Sequence, residues 1–355
     1  MESIPSSEVT IGPKSSLRVA MARLEQSARQ IVLVVDDFGR LGGVVTDGDV
    51  RRALLLGSTL DDSVVEAMNR NFRFVRSGYE LSLVGSLMES QGIRHLPVVD
   101  SAGRPVEVLI ASHGRSSPGR ANQVVIMAGG RGSRLRPLTD EIPKPMLTVS
   151  GVPILELIIR GYASQGFRNF TIITGYLSER VEEHFADGSG FGVHISYFRE
   201  NEPLGTAGGL TKAVSSNGEP VVVSNADVLS SIDLGSMIDA HVAGGFALTI
   251  ATRLERIKVP YGLLELNSSK VTAWREKPEL PLPVSAGIYV VDPSSLSYLD
   301  DGYADVPDLV QRLLGAGQPV GAHEFEGLWI DVGTHDTLRA AAELGSIMMG
   351  EGVSG

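Results

Sequence analysis

The residues best suited to chemistry lie in the stretch VVIMAGGRGSRLRPLTDEIPKPM, residues 124–146. An apolar strand pattern runs into a turn that contains Gly129, Gly130 and Gly132. Glycines after a strand let the backbone approach a ligand closely and aim its N–H groups at phosphate oxygens. Arg134 and Lys144 add positive charge, and the prolines on both sides of Lys144 restrict the chain there. Because the formal net charge of the chain is -11, this stretch predicts a local site for a phosphate-bearing ligand.

The spacing excludes two familiar phosphate-binding signatures. No Lys-Ser or Lys-Thr follows the glycines at the spacing of a P-loop. The dinucleotide fingerprint is also incomplete, because Ser133, Arg134 and Leu135 follow where a third glycine is required. What remains is the physical feature that both signatures share, namely flexible backbone after a strand.

Length and composition limit the kind of protein. A chain of 355 residues exceeds what one hydrophobic core usually supports, so we expect two domains. The acidic balance argues against a nucleic-acid partner, and the absence of cysteine excludes disulfides and thiolate chemistry. The start MESIPSSEVT lacks the features of a signal peptide, and no apolar run approaches membrane length. We therefore expect no membrane partner and a cytoplasmic location.

An internal repeat occupies the N-terminal part of the chain. LVVDDFGR, residues 33–40, aligns with PVVDSAGR, residues 97–104, at an offset of 64 residues. Each copy follows a helical pattern and leads into another apolar strand, which predicts a helix, a strand, a turn and a strand. Because neither copy can bury its own apolar face, we expect the two to pack together as one pseudo-symmetric module.

This repeat resembles a tandem pair of CBS domains, the cystathionine-beta-synthase type. GGVVTDGDVRRAL, residues 42–54, is similar to that family's strand-end signature, in which Thr46 and Asp49 open the next helix. The resemblance implies a regulatory nucleotide, with Thr46 near the phosphate and Asp49 on the ribose hydroxyls. The same pair is also an ordinary helix-capping pattern, and the second copy has Ile110 and His113 instead. A ligand sensor and a structural or oligomerising module are both open, and we expect a homo-oligomer.

The remainder of the chain alternates strands with helices, which predicts an α/β domain with a largely parallel sheet. The segment 112–123 collects Ser, Gly and Pro and is the expected linker, so the predicted domains are 1–117 and 118–355. Strands are expected at 123–128, 169–174, 193–199, 220–225, 246–253, 261–266, 271–275 and 285–291. Helices are expected at 153–165, 178–185, 206–215, 234–243, 306–315 and 335–345. The strands of YGLLELNSSKVTAWREKP must pair antiparallel across their short turn.

The motifs of this second region closely resemble those of the sugar-1-phosphate nucleotidyltransferases. They start with AGGRGSRLRPLT and PKPM and continue, in that family's order, through PLGTAGGL (203–210), SNAD (224–227), YGLLEL (261–266), EKP (276–278), SAGIYV (285–290) and LWIDVGT (328–334). The resemblance covers essentially all of residues 122–345. It implies a Rossmann-like, GT-A-like mixed sheet flanked by helices. It also implies transfer of a nucleotidyl group from a nucleoside triphosphate to a sugar 1-phosphate, with release of pyrophosphate.

The resemblance further implies roles for individual residues. The expected catalytic residues are Arg134, Lys144 and Asp227, and the expected Mg²⁺ ligands are Asp227 and Asp331. The expected nucleotide-binding residues are Gly129, Gly130, Gly132, Gly205 and Thr206. The expected sugar-phosphate-binding residues are Gly262, Glu276, Lys277 and Ser285, the last in place of the asparagine common in the family. Mg²⁺ prefers oxygen ligands and is typically held by one or two carboxylates and substrate phosphate, which agrees with this set.

The motif LGTAGG and the N-terminal CBS pair most resemble enzymes that use GTP to make GDP-mannose, GDP-heptose or GDP-glucosamine for surface glycans. Uridylyl or thymidylyl transfer to glucose 1-phosphate is the alternative within the family. A sensor that binds sugar nucleotides without turnover is the alternative from another class. A glycosyltransferase would need a DxD-like metal pair, whereas Asp227 follows Asn225 and Ala226.

Overall fold

The computed structural model describes residues 2–111, 119–215, 218–348 and 350–351. Its strands are β1 (Glu2–Pro5), β2 (Thr10–Ile11), β3 (Val32–Val35), β4 (Leu41–Val45), β5 (Arg73–Arg76), β6 (His95–Val99), β7 (Pro105–Ile110), β8 (Arg120–Ala128), β9 (Thr148–Val149), β10 (Val152–Pro153), β11 (Phe167–Thr174), β12 (His194–Arg199), β13 (Val221–Asn225), β14 (Val228–Ser230), β15 (Leu248–Lys258), β16 (Leu263–Asn267), β17 (Lys270–Arg275), β18 (Glu279–Val291), β19 (Val320–Glu324), β20 (Trp329–Asp331) and β21 (Gly350–Glu351). Its α-helices are α1 (Leu17–Ser27), α2 (Asp47–Leu55), α3 (Leu81–Ser90), α4 (Ile154–Ser164), α5 (Ser178–Phe185), α6 (Gly205–Gly208), α7 (Leu210–Ala213), α8 (Leu234–Gly244), α9 (Val306–Gly315) and α10 (His335–Met348). Within the described ranges, no helix is both long and apolar enough to cross a membrane.

The chain folds into two compact units. The first contains residues 2–111, 148–153, 335–348 and 350–351, and the second contains residues 119–147, 154–215 and 218–334. The boundary expected near residue 118 lies outside the described residues, so the division into 1–117 and 118–355 stays a prediction. The first unit nevertheless includes two segments that the sequence assigns to the second domain. The physical reason is that α10 packs against β5 and β9, while β21 pairs with the edge of β5.

The first unit contains both copies of the repeat, and each copy forms the predicted helix, strand, turn and strand. These elements are α1, β3 and β4 in the first copy and α3, β6 and β7 in the second. One aspartate fixes the turn in each copy. Asp36 accepts hydrogen bonds from the backbone N–H groups two and four residues later, at 2.9 and 2.8 Å, and Asp100 does the same at 2.9 Å. This shared turn chemistry is why the repeat is visible in the sequence.

The two copies also share hydrogen bonds and a core. β1, which precedes the first copy, pairs antiparallel with β7 of the second copy. The N–H of Leu41 donates to the carbonyl of Gly103 at 2.9 Å. Leu33 and Val44 of the first copy lie in one buried cluster with Val108 of the second. The prediction that the pair packs as one module is confirmed.

The second unit is built on a seven-stranded mixed sheet in the order β12-β11-β8-β13-β18-β15-β19. β12, β11, β8 and β13 are parallel, β18 runs antiparallel to both of its neighbours, and β19 is parallel to β15. Parallel neighbours need crossover connections, and α4, α5 and the pair α6–α7 supply them. The four parallel strands therefore end at one edge of the sheet, where ligands bind in α/β folds. This architecture confirms the predicted mixed α/β sheet.

Most predicted elements of this unit are present within a few residues of their expected bounds, and β16 and β17 pair antiparallel as expected. The helix expected over 206–215 is instead two short helices. The interruption falls at Gly208 and Gly209, since glycine is unfavourable within a helix. The N–H groups of Ala207 and Gly208, in the first turn of α6, donate to the carbonyl of Ala304 at 2.8 and 3.0 Å. β14 and β20, which pair antiparallel outside the main sheet, were not predicted.

Helix α9 shows how the apolar pattern secures this unit. Val306, Leu309 and Leu313 are spaced so that they share one helix face, and all three are buried in the cluster that also contains Leu210 and Leu248. Asp305 and Asp308 form a capping box at the start of the helix. This helix therefore anchors the loop that precedes it.

Leu309→Ala should lower the free energy of unfolding of the second unit by about 2–5 kcal/mol, because the side chain is fully buried. Leu314→Ala is the control in the same helix, since Leu314 is 53% exposed, and its effect should stay within about 0.5 kcal/mol. Both tryptophans of the chain, Trp274 and Trp329, belong to this unit, so urea unfolding followed by tryptophan fluorescence reports on it. Equal effects of the two substitutions would contradict the described packing of α9.

Candidate active site

A cleft of about 410 Å³ lies in the second unit, at the carboxyl edge of the parallel strands. Residues just beyond the ends of three of these strands line it: Gly129 directly after β8, Glu200 directly after β12 and Asp227 two residues after β13. The cleft wall contains these predicted site residues: Gly129, Gly130, Gly132, Arg134, Lys144, Gly205, Thr206 and Asp227. The structure thus brings the predicted catalytic and nucleotide-binding residues into one place.

Gly129 and Gly132 of the opening stretch lie at closely packed positions. Gly132 has a φ of +61°, and a Cβ there would lie 2.9 Å from the Cβ of Lys144 and 3.0 Å from Thr139. A Cβ on Gly129 would lie 2.6 Å from the carboxylate of Glu200. A side chain at position 132 would be strained and would push Lys144 and Thr139 aside, whereas one at position 129 would displace the carboxylate of Glu200.

The pairing of β14 with β20 brings two carboxylates together. Val228 lies opposite Asp331 in this pairing, and the N–H of Val332 donates to the carbonyl of Asp227 at 2.9 Å. On the other side, the N–H of Ala226 donates to the carbonyl of Met127 in β8 at 3.2 Å. Asp227 is therefore held between the main sheet and β20. Asp331 ends this short outer strand and not a strand of the main sheet.

The charges around these carboxylates are only partly compensated. Lys144 forms an ion pair with Asp227, and the two side chains are 12% and 20% exposed. Burial raises the pKa of Asp331, the nearby charge of Asp227 raises it further, and Lys144 and Arg134 oppose the shift. The Oδ1 atoms of both aspartates are buried without a hydrogen-bond partner among the described residues. Two carboxylates that interact electrostatically, each with a buried oxygen that lacks a hydrogen-bond donor among the described residues, are suited to a small divalent cation with oxygen ligands.

Glu200 is a cleft residue that sequence reasoning missed. Its N–H donates to the carbonyl of Thr174 at 2.8 Å, and this hydrogen bond fixes the backbone of Glu200 beside β11. Its Oε1 is buried without a hydrogen-bond partner in the described part of the chain, and burial raises the pKa of the carboxyl. A signal was available, because Glu200 directly follows the strand predicted over 193–199, at the end of a strand as Asp227 is.

The predicted sugar-phosphate residues lie outside the set of described residues that line the cleft. Gly262 packs beneath Trp274, where a Cβ would be 2.5 Å from the ring, and the indole N–H of Trp274 donates to Glu276 at 3.3 Å. Lys277 has a φ of +43°, a strained value for a residue with a side chain. Ser285 lies 3.2 Å from the hydroxyl of Tyr289. Their role in sugar binding stays a prediction.

In the first unit, Thr46 and Asp49 form the capping box of α2. Asp49 accepts from the N–H and hydroxyl of Thr46, at 2.9 and 2.6 Å, and from Arg52 at 2.8 Å. The residue equivalent to Asp49 in the second copy, His113, lies outside the described residues. Because these contacts already use both side chains, the capping function is explained, and a regulatory nucleotide on Thr46 and Asp49 stays a prediction.

Two family descriptions match the chain. Residues 123–345 match the family described as nucleotidyl transferase, a range that includes every residue lining the cleft. Residues 1–56 and 63–111 match the CBS domain. The two matches coincide with the repeat and with the motifs of the second region.

Curated relatives are similar over part of the chain. A UTP–glucose-1-phosphate uridylyltransferase from Synechocystis sp. is 31% identical over 232 residues, which is 59% of this chain and 60% of the relative. A mannose-1-phosphate guanylyltransferase from Mycobacterium tuberculosis is 32% identical over 230 residues, 62% of this chain and 64% of the relative. A D-glycero-α-D-manno-heptose 1-phosphate guanylyltransferase from Aneurinibacillus thermoaerophilus is 30% identical over 223 residues, 62% of this chain and 96% of the relative. The chain therefore spans less than two thirds of the first two relatives and nearly all of the third.

Solved structures share the fold of this region. A Bacillus anthracis protein provisionally assigned as a glucose-1-phosphate thymidylyltransferase is 25% identical, with a TM-score of 0.51, over 63% of this chain and 95% of that one. HddC from Yersinia pseudotuberculosis is 24% identical, with the same TM-score, over 62% of this chain and 98% of that one. The second likeness supports the fold alone.

Gly205→Ala should destabilise the second unit by about 1–3 kcal/mol, because Gly205 has a φ of +77° and its Cβ would lie 2.4 Å from the carbonyl oxygen of Ala304. Gly130→Ala is the matched control in the same cleft, since no atom lies within 4 Å of a Cβ at that position. Urea unfolding followed by tryptophan fluorescence measures both variants. If Gly130→Ala proved the more damaging change, the described backbone of the cleft would be wrong.

Proposed function

Because the chain belongs to the nucleotidyl transferase family, we propose that its cleft transfers a nucleotidyl group from a nucleoside triphosphate, GTP in particular, to a sugar 1-phosphate. The observation that carries this proposal is the meeting, in one cleft, of a glycine-rich strand end, two basic residues and Asp227, with the carboxylate of Asp331 close enough to Asp227 to interact with it electrostatically. In the reaction, a phosphate oxygen of the sugar 1-phosphate attacks the α-phosphorus of the triphosphate. The bond to pyrophosphate breaks, and the products are an NDP-sugar and pyrophosphate.

The residues of the cleft match what this chemistry needs. The transfer requires positioning and stabilisation of negative charge, and it needs no protein nucleophile. Backbone N–H groups of the turn 129–132 would hold the triphosphate, and Arg134 would stabilise charge on the leaving pyrophosphate. Lys144 would neutralise charge between the two substrates. Before substrate binds, its ion pair with Asp227 keeps this partly buried ammonium compensated.

Asp227 and Asp331 fit a Mg²⁺ ion. Each presents a buried oxygen without a hydrogen-bond partner among the described residues, and the donor set is the one that Mg²⁺ prefers. Two carboxylates suffice, because substrate phosphates and water complete the coordination of Mg²⁺ in such sites. When bound, the cation would neutralise charge on the phosphates.

Glu200 supports guanine as the base. An ionised carboxylate only accepts hydrogen bonds, and the Oε1 of Glu200 is buried without a donor in the described part of the chain. The Watson–Crick edge of guanine offers two adjacent donors, N1–H and N2–H, which match the two oxygens of a carboxylate. Uracil and thymine offer one donor between two acceptors. A buried carboxylate therefore favours GTP over UTP and dTTP.

The sugar class follows from the relatives and is the less constrained part of the proposal. The names of two relatives specify the 1-phosphates of mannose and of a manno-heptose as acceptors of a guanylyl group. We propose a GDP-sugar of this type as the product, and GDP-glucosamine is a further possibility. The uridylyltransferase relative makes glucose 1-phosphate with UTP the second candidate pair. The homo-oligomer expected from the CBS pair is likewise part of the proposal.

Asp227→Asn should reduce pyrophosphate release from GTP and mannose 1-phosphate by at least about 100-fold, because it removes a carboxylate that would hold the metal and partner Lys144. Binding of Mn²⁺ in the presence of GTP, measured by electron paramagnetic resonance, should weaken in parallel. Asp239→Asn is the control, since Asp239 is exposed on α8. Near wild-type turnover in Asp227→Asn would contradict the assignment of Asp227 as a metal ligand.

Glu200→Gln should reduce kcat/KM for GTP by about ten- to hundredfold, because an amide cannot accept both donors of guanine. Glu202→Gln, at an exposed neighbouring position, should leave it unchanged. Burial raises the pKa of Glu200. At pH values above that pKa, the ionised carboxyl therefore lowers the stability of the folded state. The melting temperature of ligand-free Glu200→Gln should therefore exceed that of the wild type at pH 7, and the difference should shrink as the pH falls through the raised pKa. An unchanged preference for GTP would show that this carboxylate does not read the base.

A further inference from the structure

Two loops of the cleft, residues 204–208 and 302–306, are joined by a network of hydrogen bonds. The N–H of Ala304 donates to the carbonyl of Leu204 at 3.0 Å, and the carbonyl of Ala304 accepts from Ala207 and Gly208. No room exists for a side chain between them, since a Cβ on Gly208 would lie 2.3 Å from the carbonyl oxygen of Gly302. The two loops therefore form one wall, although they are distant in sequence.

Asp305 connects the side chains of this wall. Its Oδ1 accepts from the N–H and the hydroxyl of Thr206, at 2.8 and 3.0 Å, and its Oδ2 accepts from the hydroxyl of Tyr303 at 3.0 Å. The hydroxyl of Thr206 in turn accepts from the N–H of Val306 at 3.0 Å. These hydrogen bonds, led by that from the Thr206 N–H, lower the pKa of Asp305 against the opposing effect of burial. The carboxylate is thus charged at neutral pH and fixes Thr206 and Tyr303 together.

Tyr303 is the one aromatic side chain among the described residues that line the cleft. It is 68% exposed, yet its hydroxyl is held by Asp305, so its ring is fixed in place without being covered by protein. A large aromatic surface fixed at the wall of a cleft is suited to a planar partner, because offset stacking needs a ring whose orientation is already set.

We propose that Tyr303 contacts the nucleobase by stacking and that Asp305 is the positioning residue that orients both Tyr303 and the Gly205–Thr206 loop. This inference rests on the proposed function, since it takes a nucleoside triphosphate as the ligand of the cleft. Stacking tolerates different bases, because every base has a π-face. Tyr303 would therefore supply affinity for the base, while Glu200 would select among bases.

The test is equilibrium binding to the full-length protein in the presence of Mg²⁺, measured by calorimetry with two probes. GTP carries a base, and inorganic tripolyphosphate carries the phosphates alone. Tyr303→Ala should weaken GTP binding by about ten- to hundredfold and leave tripolyphosphate binding unchanged. Tyr303→Phe, which keeps the ring but loses the hydrogen bond to Asp305, should bind GTP more weakly than the wild type and more tightly than Tyr303→Ala. Phe38→Ala, which removes an exposed aromatic from the first unit, should affect neither probe.

A fluorescence measurement separates stacking from a merely structural role. Tyr303→Trp should retain GTP affinity. GTP should quench its tryptophan fluorescence more than that of the wild type, and tripolyphosphate should not quench it. GTP binding by Tyr303→Ala at wild-type strength would overturn the proposal, and so would an equal loss of both probes. These outcomes are independent of turnover. Suppose that the wild type binds GTP but releases no pyrophosphate, and that Tyr303→Ala binds GTP more weakly. The proposed function would then fail, while the base contact would stand.

Discussion

The antiparallel pairing of β14 with β20 is the constraint on which the candidate site depends. It places Asp331 beside Asp227, although the two lie far apart in the sequence. Two carboxylates in a partly buried place repel each other, and this repulsion adds to burial in raising the pKa of Asp331. Lys144, set between two prolines in the segment that follows the glycine-rich turn, compensates by pairing with Asp227. Electrostatic interactions therefore connect the β14–β20 pair, the basic stretch that contains Lys144 and the edge of the parallel sheet.

The same electrostatics leave the cleft incomplete without a ligand. Buried polar atoms in folded proteins are nearly always hydrogen-bonded, yet Glu200, Asp227 and Asp331 each hold a buried oxygen without a partner among the described residues. Such groups weaken the folded state unless something binds them. Asp227 and Asp331 would be completed by a cation and phosphates, and Glu200 by donors on a base. On the proposed function, these groups would therefore meet the two chemically different ends of a nucleoside triphosphate.

Local patterns in the sequence predicted most of the second unit's elements, and the family resemblance supplied only part of the set of residues that line its cleft. The strand before Gly129 and the acidic residue after VVVSNA could be identified because strand ends and glycine turns are local features. The pairing of β14 with β20 could not, since three-residue strands carry no periodic signal. Asp305 and Tyr303 were also missed, because their importance depends on long-range hydrogen bonds with residues 204–208. Helix α10 looked like the end of the second domain, whereas tertiary packing places it with the first unit.

The central claim is that this cleft joins a nucleoside triphosphate to a sugar 1-phosphate. The most direct test is pyrophosphate release from the purified protein with Mg²⁺, over GTP, UTP, dTTP, CTP and ATP, each combined with the 1-phosphates of mannose, glucose, glucosamine and heptose. We predict release with GTP and one sugar of the manno type, and background release when either substrate is omitted. Release with UTP or dTTP and glucose 1-phosphate would overturn the base assignment and leave the reaction intact. If no pair released pyrophosphate and nucleotide binding was retained, the result would contradict the account and favour a sensor.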